Sequence, residues 1–251
     1  MKLVTFNIRY DCGYDGDNCF DARKAGILKK IQVEDPDIIS FQEVLPHVAQ
    51  WLKANLPGYY VAGCPRGATL RDEQCCVAYR YDKFNLMKMD SYWLSPTPNV
   101  PGSRYPGQGS CPRICTDLVL QELHSGQVFR LLNTHLDDKG PEGRLQQIRQ
   151  LMEALKPIAF FPDVPVFLAG DLNAQPEDEE IRLLSQFPGL HNLTPNIGIT
   201  FHDFGRSSGC SIDYIFAVGN VACSSVEKWT DCEQGIWLSD HYPVAVTVDF
   251  M

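Results

Sequence analysis

Strand-like runs recur along the whole chain, and that recurrence limits the fold more than any other feature of the sequence. KLVTFNI stands at the start and HYPVAVTVDF at the end. Between them come DIISFQ, YYVAG, CCVAYR, FNLMKM, ICTDLVLQEL, QVFRLLNTHL, VPVFLAG and IDYIFAV. Several alternate apolar with polar residues, the period-2 mark of a strand with one face buried. Helical patterns separate some of these runs. In EGRLQQIRQLMEALKPI, Leu145, Ile148, Leu151, Met152 and Leu155 share one face, and Pro157 ends the run. A second helix is expected from Asp21 as N-cap, carrying Ile27, Leu28 and Ile31, and a third after Pro46 with Val48, Trp51 and Leu52. Dominant strands with helices between some of them predict sheets covered by helices. Residues 95–113, SPTPNVPGSRYPGQGSCPR, are too rich in proline and glycine for regular structure and read as a long loop, either functional or a passive connector.

At 251 residues the chain can bury a large core, and with no repeat or linker visible, one domain over residues 1–251 is favoured. Hydrophobic residues make up 44% and charged residues 21%, which excludes disorder and fibres. No apolar run approaches the roughly 20 residues of a spanning helix, so no membrane span is expected. MKLVTFNIRYD alternates like a strand and lacks a signal-peptide pattern, so the expected location is cytoplasmic; a chain that had lost its leader would read the same. The 10 cysteines are scattered without a CxxC pair, which favours reduced packing cysteines over zinc held by thiolates. A formal charge of −9 gives no electrostatic case for tight nucleic-acid or anionic-membrane binding and favours a small or locally bound substrate, although a basic groove can sit on an acidic protein.

Several strands end or break at residues suited to metal and phosphate chemistry. Asn7 follows LVTF, Glu43 follows DIISFQ, and His135 sits in LLNTHLD. Asp171 and Asn173 close VFLAGDLN, Asp213 begins DYIFAV, and Asp240–His241 precede YPVAVTV. Each alone has a plain structural explanation: a turn, an exposed strand end, a satisfied buried histidine or a strand cap. Asp171 and Asn173 are harder to dismiss, because i and i+2 on an extended backbone point to one face, pairing a carboxylate with an amide. On this reading Leu172 faces inward and Gly170 lets the backbone turn.

Taken together, FNIRYD, FQEV, NTHLD, GDLN, SIDYIF and SDHYPV resemble the endonuclease/exonuclease/phosphatase (deoxyribonuclease I-like) superfamily from first strand to last. NIRYD, YWLSPTP, PRICT, NTHLDD and TFHDF look closest to an uncharacterised bacterial branch of metal-dependent hydrolases. The resemblance implies an α/β fold, a four-layer α/β/β/α sandwich of two mixed β-sheets flanked by helices, with the site at one sheet edge. It also implies hydrolysis of phosphate esters with Mg²⁺ or Mn²⁺ as cofactor. Glu43 would bind the cation, with Asp240 at or near it. Asp171 would orient or deprotonate the attacking water, and Asn7 and Asn173 would hold that water and a phosphate oxygen. His241, oriented by Asp213, would donate to the phosphoryl group, with His135 as a second donor.

Arg9, Arg113 and Arg144 lie beside these motifs and either clamp a second phosphate or form ordinary salt bridges. His202 in TFHDF either lines the pocket or makes a structural bond. The expected substrate is a small phosphorylated molecule or a nucleic-acid end. The alternatives are a DNA or RNA nuclease and, in another class, an inactive binding module of the same fold. Monoester or diester, one metal or two, and the oligomeric state stay open on sequence. Loops 11–19, 63–74 and 95–113 are the expected seats of specificity.

Overall fold

Every strand-like run becomes a strand in the computed structural model, which describes residues 1–159, 161 and 163–251. The strands are β1 (Lys2–Asn7), β2 (Ile38–Gln42), β3 (Tyr59–Ala62), β4 (Val77–Arg80), β5 (Phe84–Trp93), β6 (Ile114–Glu122) and β7 (Val128–His135). There follow β8 (Val166–Asp171), β9 (Leu190–Asn192), β10 (Asp213–Val218), β11 (Val221–Lys228), the short pair β12 (Cys232–Glu233) and β13 (Ile236–Trp237), and β14 (Val244–Phe250). The helices are α1 (Phe20–Glu34), α2 (Pro46–Asn55), α3 (Pro141–Leu155) and α4 (Glu179–Leu184). Sequence reading misses β9, β11, β12, β13 and α4. It places the cap of α1 at Asp21, whereas the helix starts at Phe20 with Cys19 at the N-cap. Phe20 packs edge-on against Trp51 at 5.2 Å and draws the helix start back to itself.

Two six-stranded sheets form, in the orders β11-β14-β1-β2-β4-β3 and β5-β6-β7-β8-β10-β9. Both are mixed: β1 and β2 run parallel in the first, β7 and β8 in the second, and the remaining pairs are antiparallel. Strand alternation sorts side chains into layers. Leu3, Ile38, Phe129, Leu131, Phe167 and Val246 fill the space between the sheets. Val4, Phe6 and Ile39 point the other way, onto Ile27 and Ile31 of α1 and Val48 and Leu52 of α2. On the outer face of the second sheet, Leu132 and Leu168 meet Ile148, Leu151 and Leu155 of α3, with Ile181 and Leu184 of α4. The result is the expected α/β/β/α sandwich. All 10 cysteines are free thiols, and no described helix is long and apolar enough to cross a membrane.

Candidate active site

The two parallel pairs decide where the polar residues go. Parallel neighbours end side by side, so the C-terminal ends of β1 and β2 carry Asn7 and Glu43 together, and those of β7 and β8 carry His135 and Asp171 in register. Antiparallel β10 starts where β8 stops, placing Asp213 opposite Asp171. Towards this edge the layer between the sheets turns from apolar to polar. Gln42 Nε2 donates to Asn133 Oδ1 at 2.8 Å, and Asn133 Nδ2 donates to the carbonyls of Phe41 and Cys76, both at 2.9 Å. Buried donors and acceptors matched in this way fix the spacing of the sheets, because separating them would leave each unsatisfied.

Asp171 is the centre of the edge. Its Oδ2 accepts from Asn7 Nδ2 at 3.0 Å, across the sandwich, and lies 3.5 Å from His135 Nε2 and 3.8 Å from His241 Nε2. Its Oδ1 accepts the Asn173 backbone N–H at 2.9 Å. Burial, reinforced by Asp213, raises the Asp171 carboxyl to about 7. Burial works against charge on His241, but Asp213 Oδ2 at 2.9 Å from Nδ1 outweighs it and lifts the imidazole to about 10. His135 goes the other way: burial, then the positive charges of Arg113 and Arg66, hold it well below its ordinary value and hence neutral. Of two histidines beside one carboxylate, one is thus cationic and one neutral.

Two expectations need correction here. Asn173 does not continue the strand; it sits at φ 47°, and its side chain donates to Leu136 O at 3.0 Å, so a tight turn rather than the pleat brings it next to Asp171. Gly170 does not turn the chain either. It lies inside β8 at φ 150°, where a Cβ would fall 2.0 Å from the Thr134 carbonyl oxygen. Close approach of β7 and β8 demands the glycine. Leu172 is buried, as expected.

Glu43 and Asp240 supply the carboxylates on the other side of Asn7. Glu43 sits at φ 63°, and its Oε1 and Oε2 accept, respectively, from Asn7 Nδ2 at 3.2 Å and the Tyr10 backbone N–H at 2.8 Å. Burial raises the Asp240 carboxyl, Glu43 adds to the rise, and His241 and Arg9 oppose it. The Glu43 and Asp240 carboxylates are hard oxygen donors with repulsion to relieve, which fits Mg²⁺ or Mn²⁺, while Asn7 orients Glu43 through Nδ2 and spends its Oδ1 on the Arg9 backbone N–H at 3.0 Å. Asp171, Asp213 and His241 also bring one ligand atom each to within 4.8 Å of one another. That trio suits a proton better than a metal, because Asp213 occupies His241 Nδ1 and the ring is held protonated.

A cleft of about 600 Å³ opens over these groups and is lined by Arg9, Glu43, His135, Asp171, Asn173, Asp240 and His241, and also by Arg66, Glu73 and Arg113. Arg9 lies in the wall, held by Asp15 through Nε at 3.0 Å and Nη2 at 2.9 Å. Arg144 does not reach the cleft; its Nε is spent on Glu180 at 2.7 Å and its Nη1 on the Asp137 carbonyl at 3.1 Å. His202 is likewise outside the lining. It stacks on Tyr242 with ring centroids 3.9 Å apart, its Nδ1 accepts from the Gly205 backbone N–H at 3.0 Å, and its own backbone N–H donates to Asp240 O at 2.8 Å. Loops 63–74 and 95–113 do reach the cleft, through Arg66, Glu73, Cys111 and Arg113.

Sequence reading misses Arg66 and Glu73, and it misses the supports. Arg23, fully buried, donates to the carbonyls of Ile8 and Leu238 behind the β1 end. Ser239 Oγ donates to Asn7 O at 2.7 Å, and Thr200 Oγ1 accepts the backbone N–H of Asp213 at 3.2 Å. Each of these acts on a backbone group distant in sequence, so no local pattern marks it.

The Endonuclease/Exonuclease/phosphatase family model matches residues 4–241, from the first strand to His241. The chain belongs to this family. An endonuclease/exonuclease/phosphatase structure from Bacteroides vulgatus superposes with a TM-score of 0.93 at 28% identity, covering 100% of this chain and 98% of that one. The mannosyl-6-phosphatase of Bacteroides thetaiotaomicron superposes with a TM-score of 0.90 at 25% identity over 100% of both chains. Among curated proteins, mouse tyrosyl-DNA phosphodiesterase 2 is 28% identical over 182 residues, which is 72% of this chain and 42% of the mouse protein. The chain therefore spans less than half the length of that relative. The family is hydrolytic, and its named members here include a phosphatase and a phosphodiesterase.

Proposed function

We propose that the chain is a Mg²⁺- or Mn²⁺-dependent phosphoesterase acting on a small phosphorylated molecule or a nucleic-acid end. The observation that carries this reading is Asp171, a buried carboxyl raised to about 7, held by Asn7 and flanked by a cationic and a neutral histidine. Ester hydrolysis at phosphorus needs an in-line water, donors on the phosphoryl oxygens and stabilisation of the leaving oxygen. Asp171, close to neutral pH in its proton affinity, takes the proton from the attacking water. Asn7 and the turn at Asn173 hold that carboxylate in one orientation. His241 donates from Nε2 to a phosphoryl oxygen while Asp213 keeps Nδ1 protonated. His135, uncharged, donates near the phosphate or the leaving oxygen without repelling the His241 cation. Glu43 and Asp240 would hold the divalent cation, which when bound supplies Lewis-acid neutralisation of phosphate charge. Arg9 sits 3.6 Å from Asp240 Oδ2 and limits how far that carboxylate can swing.

The test is hydrolysis of p-nitrophenyl phosphate and bis-p-nitrophenyl phosphate with Mg²⁺, Mn²⁺ or chelator. Turnover of at least one ester that is abolished by chelator and restored by either metal is the expected result. Turnover unaffected by chelator would contradict the metal dependence, and no turnover of any phosphate ester favours the inactive binding module. A nuclease remains the second reading, since the mouse relative is a tyrosyl-DNA phosphodiesterase by name.

A further inference from the structure

Buried arginines elsewhere in this fold spend their donors. Arg23 gives Nε to Asn18 O, Nη1 to Ile8 O and Leu238 O, and Nη2 to Arg9 O. Arg130 grips Asp117 with Nε and Nη2 and gives Nη1 to Ala154 O. Arg113 departs from the pattern. It is only 3% exposed, yet among the described residues Nη2 alone is used, on Asp138 Oδ1 at 2.9 Å, while Nε and Nη1 are buried with no hydrogen-bond partner there. Arg66, 6% exposed, gives Nη2 to Glu73 at 2.7 Å and has Nε 3.8 Å from Asp72 Oδ2, with no hydrogen bond to it among the described residues. Charged donors buried and unmatched are costly, so a site that keeps them suits a ligand that supplies acceptors. Both arginines line the cleft that holds Asp171, and both act on His135, which stands 3.5 Å from the Asp171 carboxylate.

We propose that Arg113, supported by Arg66, receives the third non-bridging oxygen of a terminal phosphate and so selects phosphomonoesters over phosphodiesters. This rests on the phosphoesterase reading above and narrows its substrate class. Near pH 7 a monoester carries roughly −1.5 to −2 and offers three acceptor oxygens, whereas a diester carries one charge and offers two. His241, His135 and the cation side of the cleft accommodate two oxygens of either ester. In a monoester the third meets the unspent N–H groups of Arg113. In a diester that oxygen bears a second organic group, which leaves the buried guanidinium unmatched; a site built to hydrogen-bond a polar group rejects analogues that lack it. Asp138 holds Arg113 in place through Nη2 and leaves the remaining donors for the ligand.

The experiment compares wild type, Arg113→Lys and Arg113→Met in two ways. The first is kcat/KM for p-nitrophenyl phosphate against bis-p-nitrophenyl phosphate with Mn²⁺. The second is calorimetric binding of inorganic phosphate against dimethyl phosphate. Lysine keeps the charge near Asp138 but not the fork, so Arg113→Lys decides the matter if Arg113→Met fails to fold by circular dichroism. The monoester-to-diester ratio should fall at least ~10-fold in the variants, and phosphate binding should weaken by a similar factor relative to dimethyl phosphate. Equal losses for both esters, or an unchanged ratio, would overturn the assignment, as would a wild type that binds dimethyl phosphate as tightly as phosphate. A wild type that turns over neither ester counts against the phosphoesterase reading alone, because the phosphate-binding comparison still decides the role of Arg113.

Discussion

Asp171, His241 and Asp213 are linked electrostatically, because the Asp213 carboxylate raises the proton affinity of both of the other two. His241 is raised from its ordinary 6.5 to about 10 although burial opposes it, and Asp171 is raised to about 7 by burial and Asp213. Both folded-state values lie above the unfolded ones. The stability contributed by protonated His241 is therefore complete below about pH 6.5 and is lost as pH rises towards 10; that of protonated Asp171 is complete below its ordinary 3.8 and lost through about 7. In chelator, the melting temperature should fall steadily between pH 6.5 and 10. Asp213→Asn removes the partner that holds the proton on His241, so the fall should flatten and the imidazole should titrate well below the wild-type value by NMR. An unchanged His241 titration in Asp213→Asn would show that the pair does not set its charge.

Among the elements, strand ends do the positioning, and their geometry explains which features are legible in the sequence. Alternating runs such as KLVTFNI and buried runs such as VPVFLAG reveal their strands because burial imprints a pattern on the sequence. β11, largely exposed at a sheet edge, and the short β9, β12, β13 and α4 carry too little of that imprint. Asp171, His241, Glu43 and their partners are legible because they sit in ordered motifs. Asn133, Thr200, Ser239 and Arg23 are not, because each acts on a backbone group brought near only by the fold. Gly170 stands out in the sequence as a turn glycine, yet its reason is the close approach of two strands. Since its Cβ would lie 2.0 Å from Thr134 O, Gly170→Ala should cost at least about 2 kcal/mol in denaturant unfolding, the range of overpacked or strained sites. A loss under about 0.5 kcal/mol, ordinary for a surface change, would mean that β7 and β8 can separate without penalty.

Across the molecule, a net charge of −9 surrounds a cleft in which Arg66 and Arg113 are buried and Arg9 is partly exposed. That arrangement suits one phosphate taken into a pocket better than a polyanion laid across a surface. The kcat/KM for the best substrate should change less than ~10-fold between about 50 and 200 mM salt, whereas a protein making many phosphate contacts loses roughly 10³–10⁵ in affinity over that range. A steep dependence would favour the nuclease reading. Catalysis, on the mechanism proposed above, depends on one carboxylate, mounted where the two sheets meet, activating water for attack on phosphorus. The most direct measurement of that dependence is the turnover of Asp171→Ala on the best ester found, with folding checked by melting temperature. A folded protein at least ~10²-fold slower than wild type is expected, the effect of losing a positioned base. A folded Asp171→Ala protein with near-normal turnover would contradict the assignment.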